Sequence, residues 1–139
     1  MTRRSGHATG MAGEFFVMER LFRLGHEPAL TLGNAKTIDI IVRTKRGKVR
    51  TVSVKSIRGG GKWPVDAEDV SGKRELIYVF LLYRGFEDVT TDPEVFVMPA
   101  KDVQKLKRPW FNKQAVYYSH RRHAPRNLER YRNAWKYIA

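Results

Sequence analysis

The 139-residue chain contains no cysteine, which excludes a disulfide framework and any zinc site built on thiolates. No apolar run approaches the ~20 residues that a membrane-spanning helix needs. The two arginines of "MTRRSGHATG" precede no apolar stretch, so no secretory signal is expected there. A soluble cytoplasmic protein, with no membrane partner, is the resulting expectation. Internal repeats, low-complexity tracts and Pro/Ser-rich linkers are also missing, and a chain of this length can bury one core without staples. One further absence is local: from Arg43 to Lys62 there are eight Lys or Arg residues and no Asp or Glu.

Hydrophobic residues make up 42% of the chain and aromatics 12%, as in a folded globular domain. The net charge is +13, unevenly placed. From Trp63 to Ala100 three basic residues stand against eight acidic ones, and from Lys101 to Ala139 eleven stand against two. Two basic blocks thus flank an acidic one. Such a patchy positive potential suits a polyanion, nucleic acid ahead of a membrane surface. A merely solvated basic surface is the alternative.

Residues 10–25 have the periodicity of a helix. Met11, Phe15, Met18 and Phe22 recur at helical spacing, and Val17, Leu21 and Leu24 broaden the face. Thr9 suits an N-cap and Gly25 a stop. A short strand is expected at Ala29–Leu32, ended by Gly33-Asn34, and the β-branched run 37–43 reads as a central strand interrupted by Asp39. In 48–56 apolar and polar residues alternate, with Val49, Thr51, Ser53 and Lys55 on one face and Arg50, Val52, Val54 and Ser56 on the other. Apolar strands at 76–83 and 94–99, a short helix at 100–107 and a final helix at 125–139 complete the pattern; its stripe is Leu128, Tyr131, Trp135 and Ile138. The segment 108–124 has no clear period. A single α/β (α+β) domain follows, with a mixed central sheet flanked by helices and a basic helical extension over about residues 101–139.

The turn between the second and third strands fixes a register. Lys45-Arg46-Gly47 fits a three-residue loop whose last residue is left-handed, which suits glycine. Closing that loop on Thr44 and Lys48 pairs Val42 with Arg50, Ile40 with Val52 and Asp39 with Ser53. Lys55 is then one diagonal step from Asp39, and such neighbours have Cβ atoms ~7–8 Å apart or less. A half-buried ion pair is one outcome of this juxtaposition. A phosphodiester site is the other. There a carboxylate helps hold a hard cation such as Mg²⁺, and the lysine activates water or stabilises charge on phosphorus.

A helix carrying Glu14, a strand carrying Asp39 and a hairpin strand ending in "SVK" together resemble the PD-(D/E)xK nuclease superfamily, with its restriction-endonuclease-like fold. The likeness covers the first half of the chain. It implies a metal-dependent (Mg²⁺ or Mn²⁺) nuclease, a hydrolase of DNA phosphodiester bonds, with Asp39, Lys55 and Glu14 as catalytic residues. Asp39, Glu14 and the Val54 backbone carbonyl would hold the metal, and Glu14 would orient the attacking water. Ser53 departs from the pattern, because the superfamily places Glu, Asp or Gln there and a neutral hydroxyl brings no charge to Mg²⁺. Asp66, Glu68 or Asp69 could supply a second carboxylate instead. If none does, the chain is a catalytically degenerate nucleic-acid-binding module. A small basic subunit of a protein assembly is a third alternative. Enzymes that cut both strands often pair, so a homodimer is one option.

The basic candidates for DNA contact are Lys45, Arg46, Lys48, Arg58, Lys62, Arg121, Arg122 and Arg126. Trp63 could stack on a base or cap the core. Gly59-Gly60-Gly61 could admit a phosphate backbone or simply form a turn, and it lacks the ending of a P-loop. His120 and His123 have no third ligand near them in sequence, which argues against zinc.

Overall fold

The computed structural model describes residues 6–31, 38–65, 76–125 and 127–139. Helix α1 (Gly6–Arg23) is followed by strands β1 (Glu27–Leu30), β2 (Ile40–Arg43), β3 (Val49–Ile57), β4 (Lys62–Val65), β5 (Leu76–Leu82) and β6 (Glu94–Pro99). Helix α2 (Ala100–Leu106), strands β7 (Arg108–Trp110) and β8 (Lys113–Tyr117) and two 3-10 turns (Leu128–Tyr131 and Trp135–Tyr137) complete the described elements. A five-stranded mixed sheet has the order β1-β2-β3-β5-β6, in which only β3 and β5 run parallel. A second sheet has the order β4-β8-β7. The α+β class with a mixed central sheet is therefore observed.

β5 is buried along its whole length, which explains its uninterrupted apolar sequence: both faces of the central sheet are covered. Ile77, Val79 and Leu81 join Val17 and Leu21 of α1 in one core. Leu76, Tyr78, Phe80 and Leu82 join Trp63, Val65, Val116 and Val103 in the other. The alternation anticipated for β3 sorts its residues between these cores. Val52 lies in the α1-side core with Val54 packed against it. Ser53, Lys55 and Ile57 pair with Tyr78, Phe80 and Leu82 and share their face.

The C-terminal segment differs from expectation. It is neither one helix nor an extension: among its described residues only Ala100–Leu106 is α-helical, and the other elements are a hairpin and 3-10 turns. Asn133, at φ 52°, breaks the stripe. Its N–H donates to the Val95 carbonyl at 2.9 Å, and Arg132 bridges to Phe96, so the chain is drawn onto the edge strand β6. Leu128 and Tyr131 enter one core and Ala134 and Ile138 the other.

Candidate active site at the open edge of β3

The β2–β3 hairpin has the anticipated register: Val42 faces Arg50 and Ile40 faces Val52. Gly47 takes φ 86°, and Thr44 and Lys48 close the loop through a 2.7 Å bond from the Thr44 N–H to the Lys48 carbonyl. At Asp39 the ladder departs from the expected pairing. The Asp39 N–H donates to the Val52 carbonyl at 2.8 Å, so Asp39 and Ile40 both face Val52 and the Asp39–Ser53 pair does not form. Thr31 holds this slip from the β1 side: its N–H donates to the Asp39 carbonyl at 3.0 Å and its hydroxyl to the Ile38 carbonyl at 2.6 Å.

The slip has a chemical result. β2 gives out here while β3 continues, so among the described residues the edge of β3 beyond Val52 is open for a side chain. The Asp39 Oδ2 occupies it and accepts the Val54 N–H at 2.7 Å. Burial raises the Asp39 pKa, against the lowering effects of this bond and of the Lys55 charge. Glu14 arrives from α1, half-buried. Burial raises its pKa as well, the Asp39 charge adds to that, and His7 opposes it.

Glu14 reaches this point because α1 lies very close to β3. A Cβ on Gly13 would stand 1.9 Å from the Ser56 Oγ and 3.1 Å from both Ser56 Cβ and Leu81 Cδ1. A larger residue would force Ser56 to turn or the helix to retreat. Arg58, just beyond β3, ties down the first turn of α1 by donating from Nε to the Thr9 Oγ1 at 2.7 Å. Thr9 is thus a buried residue inside the helix rather than its cap, and α1 begins at Gly6.

Glu14 and Lys55 are accordingly both in electrostatic reach of Asp39. Glu14 comes from the α1 side, Asp39 lies at the edge, and Lys55 stands half-buried on the opposite face. Ser53 is 1% exposed on that same face, beside Tyr78, and is not part of the edge. Among the described residues no group of three His, Cys, Asp or Glu side chains converges. Asp66, Glu68 and Asp69 lie outside the described residues.

Of the basic candidates, Lys45, Arg46 and Lys48 are exposed on the hairpin loop, and Arg121 and Arg122 are exposed after β8. Arg58 packs its guanidinium 3.7 Å above the Phe86 ring, and Lys62 places its Nζ 5.0 Å above Trp110. Arg126 lies outside the described residues. Trp63 is corrected: it is fully buried, its Nε1–H donates to the Leu81 carbonyl at 2.9 Å, and it packs against Phe80 and Phe96. No base can reach it. Of the two roles open to it in the sequence, the core one is observed. The glycine run has a structural task too. Gly60 and Gly61 take φ 88° and 75°, and the Gly61 carbonyl accepts the N–H groups of Tyr118 and Ser119. His120 and His123 stack on each other at 4.5 Å, and the His120 Nδ1 accepts the backbone N–H groups of Arg122 and His123.

No protein-family model matches the chain, and no curated protein matches it in sequence. Among solved structures it is similar to that of a bacterial homing endonuclease, I-Ssp6803I, at 19% identity and a TM-score of 0.61. The alignment covers 98% of this chain and 92% of that one. The two share a fold over essentially their whole lengths. No helix among the described residues is long and apolar enough to cross a membrane.

Proposed function

We propose that this chain is a metal-dependent nuclease of the PD-(D/E)xK type, acting on DNA phosphodiester bonds. The observation that carries the proposal is the Asp39 carboxylate held at the edge of β3 by the Val54 N–H, with Glu14 and Lys55, from separate elements, in electrostatic reach of it. The fold held in common with a homing endonuclease supports the same class.

The residues present fit a hard cation such as Mg²⁺ or Mn²⁺. Burial raises the proton affinity of both carboxylates, the Asp39 charge adds to that of Glu14, and a divalent cation at the site would offset these costs. Within a strand, the N–H and C=O of one residue point the same way. The Val54 carbonyl therefore shares the open edge with the N–H that Asp39 accepts. Carboxylate and carbonyl oxygens are the donors such ions prefer. When bound, the ion supplies Lewis-acid polarisation of a phosphoryl oxygen.

The chain's own residues do the rest. The Val54 N–H fixes the Asp39 carboxylate, leaving its second oxygen for the site. Glu14 orients the attacking water and takes up its proton, a role for which a raised pKa is suited. Lys55 offers its ammonium to the phosphate oxygens as negative charge grows there. Lys45, Arg46 and Lys48 lie on the hairpin of which Asp39 is the root, and would guide the phosphate backbone toward it.

A second reading, a nucleic-acid-binding module without cleavage, is favoured by Ser53: it is buried away from the edge and leaves two carboxylates where the superfamily has three acidic or amide groups. The two separate cleanly. Nicking or cleavage with Mg²⁺ or Mn²⁺, lost in Asp39→Ala and in Lys55→Ala, is expected for the nuclease. Salt-sensitive binding of several DNA forms with no cleavage under either metal would select the module. Absence of binding would sink both.

A further inference from the structure

The β7–β8 hairpin carries a feature that the site at β3 does not use. Its two-residue loop is Phe111-Asn112, closed by the Trp110–Lys113 pair. Phe111 has φ 54° while Asn112 does not have a positive φ. A two-residue turn with positive φ at its first position is one that favours glycine there. A bulky aromatic in the left-handed region is a genuine outlier, costly to hold. Little of the cost is recovered by packing: Phe111 is 92% exposed, and its ring meets that of Trp110 at a centroid distance of 6.1 Å.

The hairpin beneath it is well anchored. The Tyr117 hydroxyl donates to the Pro109 carbonyl at 2.9 Å, and β8 is paired on both sides, with β4 and with β7. Trp110, next to Phe111, is half-buried under the Lys62 ammonium. The protein thus holds one aromatic ring in solvent at the tip of a braced arm. The surroundings are cationic: no Asp or Glu occurs between Asp102 and Glu129, while Lys105, Lys107, Arg108 and Lys113 lie on or beside the hairpin.

We infer that Phe111 is a base-stacking wedge, which stacks on or inserts beside a nucleobase while the lysines and arginine of the hairpin hold the flanking phosphates. A ring on a positively charged arm matches how side chains unstack a base step or support an unpaired base. Among the described residues no other large apolar side chain of this hairpin is exposed, so the tip lacks the broad apolar face a protein partner would need. The inference rests on the reading of the chain as a DNA-binding protein, and adds to it a contact with the bases.

The test compares wild type, Phe111→Gly and Phe111→Trp for binding to a fluorescein-labelled DNA duplex across a salt series, with thermal unfolding alongside. Phe111→Gly should bind roughly ten-fold more weakly, the effect of losing one stacked aromatic. Its salt slope should be unchanged, because the ring displaces no counterions. Its melting temperature should equal or exceed that of wild type, since glycine suits the backbone at this position. Phe111→Trp should retain wild-type affinity. Phe111→Gly binding within two-fold of wild type would overturn the inference while leaving the nuclease reading intact. A wild type that binds no DNA would defeat both. Binding of phosphatidylserine vesicles that depends on Phe111, with DNA binding indifferent to it, would reassign the tip to a membrane surface and refute the wedge.

Discussion

Replacing Gly13 by alanine tests how closely α1 lies on β3, and the structure supplies the terms. The added Cβ would meet the Ser56 Oγ at 1.9 Å, whereas carbon atoms in contact are at their best at ~3.5–4.0 Å. Either α1 retreats or the serine turns. Alanine is preferred over glycine within a helix by about 1 kcal/mol. Overpacking costs about 1–3 kcal/mol. A net loss of ~0–2 kcal/mol is expected from these two effects. Ser56 offers the control, because its buried Oγ has no hydrogen-bond partner among the described residues. A buried unpaired hydroxyl costs about 1–3 kcal/mol, so Ser56→Ala alone should stabilise, by about 1 kcal/mol. In the double variant the shortest contact is gone and the remaining ones at 3.1 Å are tight but close to relievable. Urea unfolding of all four proteins should therefore show Gly13→Ala rescued by Ser56→Ala to wild-type stability or above. The coupling should far exceed the ~0.3–0.5 kcal/mol scatter of independent sites. Because Glu14 follows Gly13, cleavage should fall in the single variant and return in the double. Gly13→Ala that stabilises by the helix-propensity term, additively with Ser56→Ala, would refute the close approach.

Asp39→Asn should raise the melting temperature at neutral pH in EDTA while abolishing cleavage, because its amide oxygen can still accept the Val54 N–H without bringing a charge. The sign follows from the raised pKa values of Asp39 and Glu14: the stability they contribute is full below the ordinary carboxylate range and is lost as pH rises through the raised values. Wild type should thus lose stability over that rise more steeply than Asp39→Asn, and Mn²⁺ should raise the melting temperature of wild type alone; equal pH slopes would contradict this. Trp63→Phe should lose about 1–3 kcal/mol in urea unfolding, from the missing donor to Leu81 and the smaller ring, without a change in DNA affinity. Weaker DNA binding at unchanged stability would put Trp63 at the nucleic acid after all.

The hairpin was legible because two independent signals agree on it. Gly47 marks the left-handed residue of the turn, and the period of two in 49–56 sets the faces. Helix α1, the buried strand β5 and helix α2 were readable for similar reasons of period and composition. The slip at Asp39 was not, since it depends on Thr31 reaching across from β1, a contact distant in sequence. The stripe Leu128, Tyr131, Trp135, Ile138 misled because helical spacing is also met by two separate turns whose apolar residues enter different cores. Strands β4 and β7 were hidden by their prolines, Pro64 and Pro109, and by a hairpin tip with Phe111 where glycine is the usual signal. The meeting of Glu14 and Asp39 lay between these cases. Each residue stood out in the sequence, but their proximity depends on the contact of Gly13 with Ser56.

The carboxylate of Asp39 is steadied by a main-chain amide, and this separates its placement from the chemistry of the side chains around it. Every residue except proline offers the same N–H at position 54. Positions 53 and 55 can therefore change identity without dislodging the aspartate. A serine at 53 brings no carboxylate but leaves the contact between Asp39 and the Val54 N–H in register. A gain-of-function route lies open as a result. Glutamate or glutamine introduced near this edge would meet an aspartate already held in place, and the residue to avoid in any such redesign is a proline at 54.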